Sequence, residues 1–322
     1  MKRVIYTLMA LCLTGCQGQA ANGKATERIG HEAQMPATAS PATQTEEAQF
    51  PFPEMPSTLR TPEARKDYLL RNYWTCFDFT NQALLDNRDM AEQGFVNFIA
   101  LLSDGQTANE LTSVAMKALC EAMVSHPAAL EKIGKLSKDY LYNPNSPLYN
   151  EALYAHYLRA LKSCTATPTA ERQRADYLIR LIERNRPGEA ATDFTYYNKE
   201  GKRMTLAQTP VRGERMMLLF YDPECDECHE LLTRMATDAR LSEAVRQGKL
   251  TVLAIYTEGD EEVWRAALPT MPAGWLVGTD RSVVKEKALY DLKAMPCLYL
   301  LDKQKRVLVK DGEYEGVMNY EL

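Results

Sequence analysis

Two cysteines three positions apart, Cys225 and Cys228, enclose Asp226 and Glu227 just after an apolar run from Met216 to Tyr221. The run reads as a buried strand, and the stretch from Cys228 to Arg246 reads as a helix. A C-x-x-C at a helix start has a redox logic. The helix N-terminus offers about half a unit of positive charge and free N–H groups, which stabilise a thiolate at the first cysteine. The second cysteine faces the same way one turn on and can resolve a mixed disulfide. With His229 the motif also reads C-x-x-C-H, a haem-attachment signature. That chemistry needs a haem-enclosing helical fold with a distal ligand, and an apolar strand before the pair favours redox chemistry instead. No T-x-x-C peroxidatic pattern is present.

A frame for such a pair follows from the patterning of residues 189–322. Phe194 to Tyr197 and Met204 to Leu206 flank a turn at Asn198-Lys199-Glu200-Gly201, and Leu250 to Tyr256 forms another buried strand. Glu261 to Leu268 and Val283 to Tyr290 read as helical, and Leu298 to Leu301 with Val307 to Val309 as a closing hairpin. This order predicts a mixed α/β sheet with helices on both faces. Residues 58–188 differ. Thr61-Pro62-Glu63 is a helix start, with a capping hydroxyl, proline at the first position and an acid near the positive dipole end. Phe95, Phe98, Ile99 and Leu102 recur at helical spacing, as do Met116, Leu119, Cys120 and Met123, and Leu153, Tyr157, Leu161 and Cys164. A further helix runs from about Thr169 to Asn185. The fold class is therefore α+β multidomain, an all-α domain of five or six helices followed by an α/β domain. Cys76, Cys120 and Cys164 are spaced 44 apart twice, but their flanks differ, so they read as helical core residues and not as a repeat. No histidine cluster accompanies them, and no metal is expected. His126 and His156 read as capping or surface residues.

Met295-Pro296 precedes the final hairpin, about 70 residues after Cys225. Taken together, MMLLFYDPECDEC, AMPCLYLLDKQKRVL and DFTYYNKEGKRMTL resemble the thioredoxin superfamily, in particular the TlpA/ResA-type envelope thiol–disulfide oxidoreductases, over about residues 190–322. The resemblance implies a thioredoxin-like fold with no cofactor. It implies Cys225 as attacking nucleophile, Cys228 as resolving thiol, a cis Pro296 bordering the site, and the Met295 backbone pairing with an extended substrate segment. The helical block, with YWTCFDF and EQGFVNFIALL, looks like a domain that precedes such modules in bacterial envelope lipoproteins. Two positions depart from the pattern: Leu219 stands where many thioredoxins place a buried acid, and Glu224 where the usual Trp lies. Glu258, Glu261 or Glu262 are then the candidates for proton acceptor. Cys297, usually threonine in the family, reads as a buried strand residue, with a third redox thiol as the alternative. Asp222, Glu224, Asp226 and Glu227 crowd the pair, and like charges work against a thiolate, which favours a reductase or isomerase over an oxidase.

The N-terminus sets the compartment. Lys2 and Arg3 precede an apolar run, Val4 to Leu13, too short to span a bilayer, where about 20 residues are needed. Leu13-Thr14-Gly15-Cys16 resembles a bacterial lipobox, which implies a signal peptide over 1–15 and acylation of Cys16. Residues 16–57, rich in Ala, Gln, Thr and Pro, read as a tether with a reach of about 35 Å. With Gln17 after the cysteine, the expected location is the cell envelope, lipid-anchored, at the outer membrane and facing the periplasm. The expected partners are disulfide-containing envelope proteins, a membrane electron donor and the bilayer itself. The chain's 322 residues carry a net charge of −5 and 45% hydrophobic residues, which excludes a wholly disordered chain and argues against a nucleic-acid binder. The rival to an enzyme is a non-catalytic lipid-anchored scaffold with a structural disulfide.

Overall fold

The computed structural model describes residues 49–320. The expected leader (1–15), the acylated Cys16 and the tether as far as residue 48 lie outside the described residues. Where the described chain begins, Phe50 is already packed, its ring 5.0 Å from that of Tyr73 and 5.4 Å from that of Trp74. Gly94 makes room for it: a Cβ there would meet Phe50 Cε2 at 2.3 Å. The Phe-Pro-Phe-Pro stretch thus docks on the helices.

Helix α1 (Pro62–Asn72) starts as its sequence dictates, with the Thr61 hydroxyl accepting from the Ala64 N–H at 3.2 Å. It is followed by α2 (Gln82–Asp86), α3 (Gln93–Leu102), α4 (Asn109–Met123), α5 (Pro127–Ser137), α6 (Glu151–Ser163) and α7 (Thr169–Ile182). Wider π-type turns lie before α3 (Arg88–Glu92) and after α5 (Lys138–Tyr142). This block has seven α-helices among the described residues, where periodicity predicted five or six. The five-residue α2, capped by Asn81, is too short to show a period. The expected stripes all face inward: Phe95, Phe98, Ile99, Met116, Leu119 and Met123 are fully buried in one core. Cys120 and Cys164 are buried there as free thiols. Cys76 is exposed in the turn after α1 and is not a core residue, because the stripe of α1 ends before it.

Seven strands form one sheet: β1 (Thr195–Asn198), β2 (Arg203–Thr205), β3 (Arg215–Tyr221), β4 (Leu250–Tyr256), β5 (Leu276–Thr279), β6 (Cys297–Asp302) and β7 (Val307–Val309). Their order across it is β2-β1-β5-β4-β3-β6-β7, with β3, β4 and β5 parallel and the others antiparallel to their neighbours. Helices α8 (Asp226–Thr237), α9 (Ala239–Arg246), α10 (Glu261–Ala267), α11 (Val283–Glu286) and α12 (Tyr314–Met318) complete the fold. The single helix expected from Cys228 to Arg246 is two. Asp238 leaves the helical conformation and caps α9, its carboxylate accepting from the Arg240 N–H at 2.8 Å. Alternation along β3 divides the core: Met217, Leu219 and Tyr221 pack towards α8 and α9, while Met216, Leu218 and Phe220 pack with Phe194, Tyr290 and Tyr299 on the other face. The described residues form one compact unit. Among the described residues no helix is long and apolar enough to cross a membrane.

Candidate active site

Strand β3 is central in the sheet, paired on both sides, so the turn that follows it is held at a fixed point of the molecule. Cys225 caps α8 from that turn with an extended backbone, and its N–H donates to the Asp222 carbonyl at 3.2 Å. Cys225 is half-buried and Cys228 is fully buried, both as free thiols. The Asp222 N–H donates to Cys228 Sγ at 3.4 Å. Burial pushes the Cys228 thiol far up, opposed in part by that N–H and reinforced by the adjacent Cys225.

The Met295–Pro296 peptide is cis, at the start of β6. Its loop comes back to the helix N-terminus, where the Cys225 thiol donates to the Met295 carbonyl at 3.5 Å. The same sulfur lies 3.5 Å from Glu227 Oε2, a second acceptor for its proton. The structure thus brings together Cys225, Cys228, Met295 and Pro296, four residues distributed over 72 positions of sequence. It brings none of the three acids suggested as proton acceptors into contact with either thiol. Glu258 is paired with Lys285, Glu261 with Arg265 at 2.6 Å, and Glu262 is exposed. Glu227, inside the motif itself, is the carboxylate that touches Cys225; its signal was its position one residue before Cys228. Leu219 is fully buried against the Cys228 face, so the usual buried acid is replaced by apolar packing. His229 is exposed on α8.

Cys297 sits directly after Pro296 and pairs in register with Phe220, which turns its side chain to the sheet face opposite Cys228. Its thiol donates to Asp311 Oδ1 at 3.2 Å. Burial raises the thiol well above its usual range, with the Asp311 charge adding to the effect. A Cys225–Cys297 bond has no support in this geometry. Asp311 belongs to a buried ionic cluster that no local pattern of residues announces. Lys293 Nζ lies 3.0 Å from Glu151, 3.1 Å from Asp291 and 3.3 Å from Asp311. Among the described residues no group of three or more His, Cys, Asp or Glu is arranged to hold a metal ion.

A parallel β3–β4 pair, an antiparallel hairpin, a C-x-x-C at a helix N-terminus and a cis-proline loop against it define a thioredoxin-like protein. Over 85% of its length the chain is 30% identical to a thioredoxin-like protein from Bacteroides caccae, covering 98% of that chain with a TM-score of 0.70. Residues 20–185 match the family described as Domain of unknown function (DUF5106), and the protein belongs to that family. Two further solved structures from Bacteroides fragilis each match 42% of this chain. One is a conserved protein of unknown function (36% identity, 98% of that chain, TM-score 0.40). The other is the C-terminal domain of an uncharacterized protein (38% identity, 96% of that chain, TM-score 0.39). No curated protein matches the chain.

Proposed function

We propose that this protein is a thiol–disulfide oxidoreductase that works through Cys225 and Cys228 on disulfides of envelope proteins. The observation that carries the reading is the half-buried Cys225 at the N-terminus of α8, its sulfur 3.5 Å from the Met295 carbonyl, with a buried thiol one turn on. Cys225 gives its proton to Glu227 and its thiolate attacks one sulfur of a client disulfide. The client's other sulfur leaves as a thiolate and a mixed disulfide forms. Cys228 then attacks Cys225 Sγ, its proton passing to the departing client sulfur. The client's first sulfur departs as a thiol, and the Cys225–Cys228 disulfide holds the two electrons' worth of oxidation. Met295 and Pro296 border the cleft where an extended client segment lies.

Direction follows from the resolving thiol. A strong oxidant owes its potential to a stabilised thiolate in the reduced form. Here burial disfavours the Cys228 thiolate and the adjacent Cys225 adds to the effect, only partly offset by the Asp222 N–H, so the dithiol is a reductant or isomerase that a membrane donor recharges. Acylated Cys16 would place it on the periplasmic side of the outer membrane. Insulin reduction and a redox titration against glutathione test the chemistry: turnover and a potential well below that of strongly oxidising periplasmic donors are expected. An inert protein would return the reading to a scaffold with a structural disulfide. A Cys228→Ser variant, which stalls at the mixed disulfide, identifies the clients. Palmitate labelling lost in Cys16→Ala tests the anchor.

A further inference from the structure

The segment that delivers Met295 and Pro296 to Cys225 is gripped by the helical block at Ala288, Leu289, Asp291 and Lys293. Arg184 Nη1 donates to the Ala288 carbonyl, and Asn185 Nδ2 to the Leu289 carbonyl at 2.9 Å. The Tyr142 hydroxyl reaches both oxygens of Asp291 at 2.8 Å. Glu151, at the first position of α6, pairs with Lys293 and, through its second oxygen, with Lys310 at 3.1 Å. Lys310 Nζ also donates to the Ile182 carbonyl at the end of α7, at 2.6 Å. Lys293 is only two residues before the cis peptide. Its side chain and that of Asp291 are 3% and 4% exposed, so these charges have given up water for one another.

Such a cluster is unforgiving. Three carboxylates face two ammonium groups, and removing one partner leaves a buried charge without its counterpart. Burial alone would weaken the Lys293 ammonium, yet Asp291, Asp311 and Glu151 more than offset it and hold the group charged. Lys293 therefore stays where its three partners put it. One of those, Glu151, belongs to the helical block.

We propose that the helical block is the positioning element of the thiol site: Glu151 and Tyr142 fix the segment Ala288–Pro296 so that the Met295 carbonyl meets a substrate beside Cys225. This rests on the thiol–disulfide reading of the site. Neither residue touches the reacting sulfur, so both act through the loop. The block's contribution is to client binding and alignment, and the intrinsic reactivity of Cys225 does not depend on it.

The test uses the full chain with Glu151→Gln or Tyr142→Phe, and Glu151→Asp for rescue. Leu70→Ala serves as a control that loosens the helical core at α1. Two readouts are taken. Amide hydrogen exchange across Ala288–Met295 is expected to quicken by about tenfold in Glu151→Gln and less in Tyr142→Phe, and to stay as in the wild type in Leu70→Ala. With a cystine-containing peptide, KM is expected to rise by on the order of tenfold while kcat changes little. Alkylation of Cys225 by iodoacetamide is expected to proceed within about twofold of the wild-type rate, and Glu151→Asp to recover part of the loss. Unchanged exchange in both variants, or an equal KM rise in Leu70→Ala, would overturn the proposal. A wild-type protein that reduces no peptide disulfide would refute the catalytic reading instead, and the exchange data alone would then decide the clamp.

Discussion

Cys228 and Cys297 are both fully buried thiols, on opposite faces of one sheet, and burial raises both. They differ in what they can reach. Cys228 stands one helical turn from the half-buried Cys225 and receives an N–H from Asp222; Cys297 spends its proton on Asp311 and looks into an ionic cluster. Burial makes a thiol quiet, and adjacency to a second, accessible sulfur makes a quiet thiol usable. A cysteine next to a cis proline is close to the site in sequence and still on the wrong side of the sheet.

The sharpest way to break this contrast is to delete each sulfur in turn. Cys225→Ser is expected to lower insulin reduction on the order of a thousandfold or more, whereas Cys297→Ala should keep activity within about threefold. A comparable loss in both would make Cys297 part of the chemistry. Labelling of the reduced native protein with a maleimide should reach Cys225 and the exposed Cys76 within minutes, and reach Cys228 and Cys297 only in denaturant. Rapid native labelling at Cys297 would undo the assignment of the two faces.

Stability gives a finer probe of the Cys297 side. Asp280, 1% exposed, accepts from the Val284 N–H at 2.6 Å but leaves Oδ1 without a partner. Burial is the main cause that lifts its carboxyl from 3.8 to about 6. A carboxyl raised on folding stabilises the protein while it is protonated. That contribution is complete below pH 4 and is lost as pH rises to about 6. Asp280→Asn keeps the acceptor for Val284 and removes the charge. It should therefore gain about 2–3 kcal/mol over the wild type in urea unfolding at pH 7.5, and little at pH 4. Equal gains at both pH values would show that the wild-type charge is not what costs stability. The smallest effect is expected from Cys297→Ala itself, which removes a buried sulfur and the donor to Asp311. It should cost about 1–2 kcal/mol in the same measurement.

How much of this was legible in the sequence depends on how far apart the partners lie. The apolar runs of β3 and β4, the closing hairpin, the C-x-x-C turn and the proline loop carry local signals, and the sheet is built around them. Strand β5 carries no such signal, being four residues long and containing Gly278, which reads as a loop. The reason for that glycine is tertiary: a Cβ would meet Tyr196 Cδ2 at 2.4 Å, where β1 crosses close to β5. The pattern predicts helix to Tyr290, but α11 stops at Glu286, since Ala288 takes a positive φ and the carbonyls of Ala288 and Leu289 are held by Arg184 and Asn185. The grip of the helical block on the site loop was invisible for the same reason. Tyr142 and Asp291 are 149 positions apart, and neither residue type nor local pattern announces such a pair. Glu227 was counted as one acid among four, because spacing alone does not say which carboxylate turns towards the sulfur.

The packing of Phe50 against Gly94 has a mechanical consequence. Tension on the chain at Phe50 meets a ring that fills the space a side chain on α3 would need and lies within 6 Å of the rings of Tyr73, Trp74 and Phe77. Tension would therefore be taken up by an aromatic plug seated between α1 and α3, and would spread into the helices.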